Sequence, residues 1–471
     1  MNFLRWYFLL FAIINNGMVI PINGFLDEIT TRLELIHRNS PKLSGHSNVF
    51  LGERPRTQME NVKQFHQRDV LRRRTIETAS SSSSVKLPIN SGSDYGTGEY
   101  FVHVTVGTPG QRFVLVADTG SELTWINCRY RNDCGRDNKC AVDPKQQAMK
   151  PTFKADQSSS FRTVPCSSAM CKTELAELFS LAKCPTPSTP CGYDYRYLQG
   201  SAALGFFGND TVSVDLTNGM KRRLNNVLIG CTQSIKDEQG NFKGAHGVLG
   251  LGNGKYTFTT KAAQDFGAKF SYCLVDHLSS QNLTNYIVFG SNRPKTALLS
   301  RVQRTPLVLG GVLGPLYGVN VMGISVGGKP VKIPAVVWDA KRGGGTILDS
   351  GTSLTFLAEP AYRSVTAAFS KYMSKFQRLP DDGGPFEFCY NSTRFRDSLV
   401  PSVKIQLANG AVFEPPMKSY ILDVAPETRC LGIVSASWPG TSIIGNIMQQ
   451  NHLWEFDLGK SLLSFAPSTC T

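Results

Sequence analysis

A ten-residue pattern occurs twice in this chain, and the repetition constrains the fold more than any bulk property. Val116-Ala117-Asp118-Thr119-Gly120-Ser121-Glu122-Leu123-Thr124-Trp125 returns 231 residues later as Ile347-Leu348-Asp349-Ser350-Gly351-Thr352-Ser353-Leu354-Thr355-Phe356. That interval far exceeds the roughly 20–50-residue periods of solenoid repeats. Two related domains, each presenting one copy, is the economical explanation. A second echo supports it. Gly247-Val248-Leu249-Gly250 and Ile443-Ile444-Gly445 each place an apolar pair before Gly, about 100 to 130 residues after the corresponding Asp. At 471 residues the chain is also too long for one compact core.

The local pattern is that of a β protein. Forty-three Gly and 25 Pro imply many turns. Tyr100–Val106 alternates as a strand, Gly107-Thr108-Pro109-Gly110 reads as its turn, and Phe113–Ala117 returns beside it as a hairpin. Further strands are predicted at Thr211–Asp215, Tyr286–Phe289, Leu316–Val321 and Thr346–Leu348, and helices at Thr173–Ala182 and Ala358–Lys375. The expected class is mainly all-β.

The N-terminus is set apart. Arg5 precedes an apolar stretch, Trp6–Ile14, which Asn15, Asn16 and Gly17 break, so residues 1–24 read as an export signal. The stretch is well below the roughly 20 apolar residues that span a bilayer, so no stable membrane anchor is expected. Residues 25–85 are charged, lack cysteine and end in Ser80–Ser84; they read as a removable segment, with a permanent solvated arm as the alternative. Within them Phe65, Val70 and Leu71 have helix-like spacing. A first domain over 86–300 and a second over 301–471 complete the division.

Twelve cysteines, an even number, fit an oxidising compartment: Cys128, Cys134, Cys140, Cys166, Cys171, Cys184, Cys191, Cys231, Cys273, Cys389, Cys430 and Cys470 are disulfide candidates whose pairing stays open. No Cys-x-x-Cys pair occurs and the seven His are scattered, so no metal is expected. Asn209, Asn282 and Asn391 head glycosylation triplets, meaningful if the chain enters the secretory route. The net charge of +14 invites a nucleic-acid partner, but Lys and Arg are spread along the chain and the densest run is Arg72-Arg73-Arg74. A solvated basic surface is the better reading.

The chemistry lies in the echo. A carboxylate directly after a buried apolar strand is expensive unless it is hydrogen-bonded or used. In each copy Gly lets the backbone turn and bring an N–H to the carboxylate, and a hydroxyl three residues on can orient it. One copy alone could be a local Asx-type turn. Two copies in matched settings suggest Asp118 and Asp349 brought together, where both cannot easily ionise and a single proton is shared. The charged member can then take a proton from a water while the protonated member donates to a carbonyl oxygen. Gly-x-Ser-x-Gly and His-Glu-x-x-His are absent.

On these motifs the chain resembles the pepsin-like aspartic proteases from about Glu99 to the C-terminus. It is most similar to their plant nepenthesin-like branch, through Gly98-Glu99-Tyr100-Phe101, Gly107-Thr108-Pro109 and the cysteine-rich stretch Cys128–Cys191. Leu33-Glu34-Leu35-Ile36-His37-Arg38 resembles the propeptides of these plant enzymes. The resemblance implies two β lobes around a cleft, and an endopeptidase that needs no cofactor, takes an extended peptide at acidic pH and works as a monomer. It implies export to the apoplast or vacuole, organelle targeting being the lesser alternative. Ser121 and Thr352 would orient the outer carboxylate oxygens, Gly120 and Gly351 would donate to the inner ones, and Thr119 and Ser350 would cross-bond the lobes. Tyr197 matches the flap tyrosine, with Gly200 and Ser201 at the flap tip and Trp125 holding the ring. Leu198-Gln199 departs from the usual flap tip, which bears on specificity. His246 stands where Asp is usual; it reads as a surface substitution more readily than as a titrating group. The rival reading is a catalytically silent relative that binds or inhibits, although such relatives usually lose part of a motif that is whole here.

Overall fold

The computed structural model describes residues 30–37, 66, 69, 100–130, 151–179, 181–182, 184–196, 202–216, 220–236, 245–275, 285–291, 301–380, 386–393 and 395–470. The architecture is bilobal and dominated by strands. Tyr100–Val106 and Gln111–Asp118 form the expected hairpin, in the register Phe101↔Val116 and Val104↔Phe113. At its turn Gly107 has φ +89°, and a Cβ there would lie 3.0 Å from both Phe153 and Ser158, so the position favours glycine on both counts.

Each copy of the echo is threaded by its downstream partner. Gly247–Gly250 runs parallel to Gln111–Asp118, with Val248 opposite Val116, and antiparallel to Trp125–Arg129. Ser442–Ile444 runs parallel to Thr346–Leu348, with Ile443 opposite Ile347, and meets Phe356 on its other side. Most apolar residues of each copy then bury in a cluster of their own lobe, while Ala117 and Leu348 join the core common to both. Val116, Leu123, Trp125 and Val248 pack in the first, and Ile347, Leu354, Phe356 and Ile443 in the second. The turns bearing Asp118 and Asp349 are therefore carried on buried, braced strands in each half.

The halves are joined by a continuous sheet. Thr31–His37 lies between Tyr100–Val106 and Asn285–Phe289. Asn285–Phe289 pairs with Lys269–Leu274, which pairs with His452–Asp457, and Leu462–Pro467 and Gln303–Val308 follow. Arg32 and Glu34 are exposed while Leu33 and Leu35 are buried. That alternation makes the segment a half-buried strand rather than a solvated arm.

Three elements differ from expectation. The predicted strand Leu316–Val321 divides: Tyr317–Val319 pairs with Ile347–Leu348, whereas Val321–Val326 joins a separate sheet with Val403–Leu407, so the chain changes sheets at Asn320. Thr211–Asp215 is the end of a longer strand, Ala202–Asp215, paired along Lys221–Lys236. The helix expected over Thr173–Ala182 begins earlier and ends sooner, as a π-helix at Met170–Leu175 continued by an α-helical Ala176–Leu178. It ends because Phe179 turns extended and buries its ring 5.4 Å from that of Phe207. The second helix, Glu359–Met373, begins with Pro in its first turn, where the missing N–H costs nothing. Among the described residues no helix is long and apolar enough to cross a membrane.

The threading depends on close backbone approach. A Cβ on Gly445 would sit 2.1 Å from the Leu354 carbonyl oxygen, and one on Gly250 would sit 2.7 Å from that of Glu122. Gly445→Ala is therefore expected to lose about 1–3 kcal/mol of stability through overpacking, measured by chemical denaturation; an unchanged midpoint would contradict the threading.

Candidate active site

Asp118 ends the strand Gln111–Asp118, and the chain turns sharply after it. The Gly120 N–H donates to Asp118 Oδ1 at 2.9 Å, and the Ser121 hydroxyl donates to Oδ2. In the second lobe the Gly351 N–H donates to Asp349 Oδ1 at 3.0 Å, and the Thr352 hydroxyl donates to Oδ2 at 2.6 Å. The two carboxylates thus sit in matched settings, each with a backbone donor on one oxygen and a hydroxyl on the other. Neither has any exposed surface.

The turns are tied to each other. The Thr119 N–H donates to Ser350 Oγ at 3.2 Å, and the Ser350 N–H donates to Thr119 Oγ1 at 2.9 Å. Ser350 Oγ donates onward to the Ala117 carbonyl at 3.3 Å, so each hydroxyl can serve as acceptor across the boundary. This reciprocal pair ties the residue after Asp118 to the residue after Asp349, 231 positions away.

Other supports were not singled out from the sequence. The Thr124 hydroxyl accepts from the Gly250 N–H at 3.1 Å, and Thr355 accepts from the Gly445 N–H at 3.4 Å, holding each threaded strand in place. Both threonines occupy the same position of the echo, which was the available signal. Asn446 Nδ2 donates to the Ser350 carbonyl at 2.9 Å, and Gln449 Nε2 donates to that of Ile444 at 2.7 Å. Gln449 also accepts from the Tyr272 hydroxyl, whose ionisation is pushed well up by burial and then by the negative charge of Asp349.

One titratable group lies next to the first turn and another at the far end of the strand that braces it. Glu122 is 5% exposed, and among the described residues its Oε2 has no hydrogen-bond partner. Burial raises its pKa to about 7. His246 is not on the surface as expected: it is buried, with its ring edge-on to Phe113, and its Nδ1 accepts from the Val114 N–H at 2.9 Å. Its own backbone continues the ladder, donating to Val114 and accepting from Asn127. That is why a polar residue at the foot of Gly247–Gly250 is drawn inside.

Tyr197, Leu198, Gln199, Gly200 and Ser201 lie outside the described residues. Trp125 is buried in the first-lobe core. Tyr193 is buried and its hydroxyl is shared with that of Thr232 at 2.8 Å. The disulfides join Cys128 to Cys231, Cys166 to Cys184, Cys171 to Cys191, Cys273 to Cys470 and Cys389 to Cys430, while Cys134 and Cys140 fall outside the described residues. The sulfurs of Cys166, Cys171 and Cys184 lie within 4.8 Å of one another. All three are oxidised, which leaves no thiolate for a metal. Asn209 is half-buried in a paired strand, Asn391 accepts from Thr393, and Asn282 is not among the described residues.

Comparisons with known proteins follow the same division. The profile described as "Xylanase inhibitor N-terminal" matches residues 100–291, and that described as "Xylanase inhibitor C-terminal" matches 316–467. The chain is 33% identical over 403 residues to Aspartyl protease family protein 2 of Arabidopsis thaliana, covering 84% of this chain and 76% of that one. It is 29% identical over 460 residues to aspartic proteinase nepenthesin-1 of Nepenthes gracilis, covering 94% of each. Among solved structures, basic 7S globulin from soybean superposes with a TM-score of 0.61 at 21% identity, over 81% of this chain and 94% of that one, which is a likeness of fold.

Glu122 makes a pH prediction. A carboxyl that holds its proton more tightly folded than unfolded adds stability that is complete below its ordinary value of 4.5 and is lost as pH rises toward about 7. At about 1.4 kcal/mol per pH unit, the span is worth on the order of 3 kcal/mol. Glu122→Gln should flatten the stability–pH curve between those limits in denaturation experiments, and an unaltered slope would show that Glu122 does not carry it.

Proposed function

This chain belongs to the plant nepenthesin-like branch of the pepsin-like aspartic proteases, and on that premise we propose that it is an endopeptidase whose Asp118 and Asp349 activate a water against a peptide bond. The observation that carries the reading is the pairwise match of donors on the two carboxylates, joined by the Thr119–Ser350 exchange. Such support fixes both acids in place, and the proposed mechanism uses one of them ionised and the other protonated. The ionised member removes a proton from the water as it attacks the scissile carbonyl, and the protonated member donates to the oxygen that becomes negative. Collapse of the tetrahedral species returns a proton to the leaving amine. No covalent acyl-enzyme forms.

The substrate is an extended peptide or protein held between the lobes, with Tyr197, Gly200 and Ser201 closing over it. The working pH is acidic. The enzyme is exported to the apoplast or vacuole as a monomer and made with an N-terminal segment that is later removed. The disulfides favour an oxidising compartment.

A second reading has one observation in its favour: the matching profiles are described as xylanase inhibitors. It would make the chain a protein ligand that does not turn over. The complete donor set on both carboxylates favours the peptidase, since a silent binder has no use for it.

Replacing Asp118 or Asp349 by Asn should each reduce hydrolysis of denatured casein at acidic pH by about 10²–10⁴-fold or more. Wild-type rates in either variant would overturn the mechanism. A peptide-like transition-state analogue should bind the wild type and lose its affinity in both variants, whereas an inhibitor-type protein would ignore it.

A further inference from the structure

The side chains of Asp118 and Asp349 are held by matched donors, but their main-chain carbonyls are held differently. The Asp118 carbonyl accepts from the Leu251 N–H at 2.9 Å. The Asp349 carbonyl accepts from a side chain, Gln449 Nε2 at 3.4 Å, and the same nitrogen donates to the Ile444 carbonyl at 2.7 Å. Leu251 directly follows the threaded strand Gly247–Gly250, whereas Gln449 ends the short helix Asn446–Gln449 that comes after Ser442–Ile444.

Each of these two residues is met by a tyrosine from the other lobe. Tyr317, on the second-lobe strand Tyr317–Val319, donates its hydroxyl to the Leu251 carbonyl at 2.6 Å. Tyr272, on the first-lobe strand Lys269–Leu274, donates to Gln449 Oε1. The lobe boundary is thus crossed in both directions, as it is by the Thr119–Ser350 pair. Both rings are buried and pack on one aromatic residue: the ring of Phe456 lies 5.5 Å from that of Tyr272 and 5.0 Å from that of Tyr317. Phe456 itself stacks on Phe270 at 4.6 Å. Burial pushes the ionisation of both hydroxyls up, so each keeps its proton and stays a donor at acidic and neutral pH. A buried hydroxyl without an acceptor is costly, which makes each ring and its acceptor a fixed pair.

We infer that Tyr272 and Tyr317 are positioning residues of the proposed dyad: each reaches across the lobe boundary to fix the residue that holds the main chain of the other lobe's aspartate, so the two hydroxyls set the placement of Asp118 and Asp349 relative to each other. That role rests on the peptidase reading, because the aspartates it serves are the proposed catalytic pair. A misplacement of about 1 Å in a reacting group can cost on the order of 10²-fold in rate. An acid–base pair whose members come from different lobes therefore gains from being held at more than one level. The Thr119–Ser350 exchange ties the residues after the aspartates, and the tyrosines tie the carbonyls of the aspartates themselves. The two arms differ in one respect. Leu251 serves through its backbone, and its carbonyl also accepts from Thr259 Oγ1 at 3.0 Å. The arm to Asp349 passes through the side-chain amide of Gln449, so substitution can cut it.

The test compares wild type, Tyr272→Phe, Tyr317→Phe, Gln449→Leu and the Tyr272→Phe/Gln449→Leu double variant as acid-incubated full-length chains. Casein hydrolysis is measured per folded molecule, the folded fraction being read from near-ultraviolet circular dichroism, together with affinity for a peptide-like transition-state analogue. Tyr272→Phe should lower kcat about tenfold with KM within about twofold, and weaken the analogue in proportion. Tyr317→Phe should act in the same direction and less strongly, since Thr259 still serves the Leu251 carbonyl; it also carries the test if the Gln449 variants fold poorly. Gln449→Leu should lose at least as much as Tyr272→Phe, and the double variant little more than Gln449→Leu, because both substitutions cut one arm. Wild-type kcat per folded molecule in both tyrosine variants, whatever their stability, would make the rings braces of the fold and overturn the positioning role while leaving the peptidase. A loss carried by KM alone, or losses that multiply in the double variant, would overturn it as well. Analogue affinity that falls in both tyrosine variants of a chain without hydrolysis removes the peptidase reading and keeps the positioning. A wild type that neither binds nor hydrolyses removes both.

Discussion

Two hydrogen bonds, the Thr119 N–H to Ser350 Oγ and the Ser350 N–H to Thr119 Oγ1, join turns that belong to different halves of the chain. Their reciprocity matters because each residue gives its backbone donor and receives on its hydroxyl, so neither turn can rotate without breaking both. Buried in the fold, such bonds are costly to leave unmade. The positions of Asp118 and Asp349 follow from that constraint. So does the need for small residues around it, because the strands Gly247–Gly250 and Ser442–Ile444 must come close enough to brace the turns from behind.

The carboxylates are oriented by short-range chemistry and kept in register by long-range packing. Ser121 and Thr352 act three residues from their Asp, which any chain with this motif could arrange locally. Thr124 and Thr355 act across strands on Gly250 and Gly445, which requires the lobe to be folded first. The echo therefore records two levels of support in one stretch. The copies are not identical, however. Where the first has Glu122 the second has Ser353, and both departures matter: one buries a carboxyl beside the site, the other lends its amide to Asp69. Burial raises the pKa of Glu122 to about 7, which puts a proton-sensitive group beside the first turn.

Much of this was legible in the residues because the determinants are local. The hairpin at Tyr100–Asp118, the two aspartate-bearing turns, their downstream partners and the helix at Glu359–Met373 all follow from patterns a few residues long. The rest depends on contacts that sequence spacing does not encode. Cys273 and Cys470 are 197 residues apart and pair through the sheet that joins the lobes. Phe179 leaves a helical pattern because Phe207 offers a better surface to pack on. His246 looked solvent-facing because its neighbours in sequence say nothing of the strands that enclose it. Asp69 sits in a charged segment with no local cue that its partner is a turn of the second lobe.

In the proposed mechanism Asp118 and Asp349 operate as one chemical unit. The most direct test is a double-mutant cycle on acid peptide hydrolysis with Asp118→Asn, Asp349→Asn and the combined variant. If the pair is a unit, either single substitution removes nearly all that the double one removes, because half a dyad has no function of its own. Losses that multiply across the two sites would mean that the carboxylates act independently and would contradict the account.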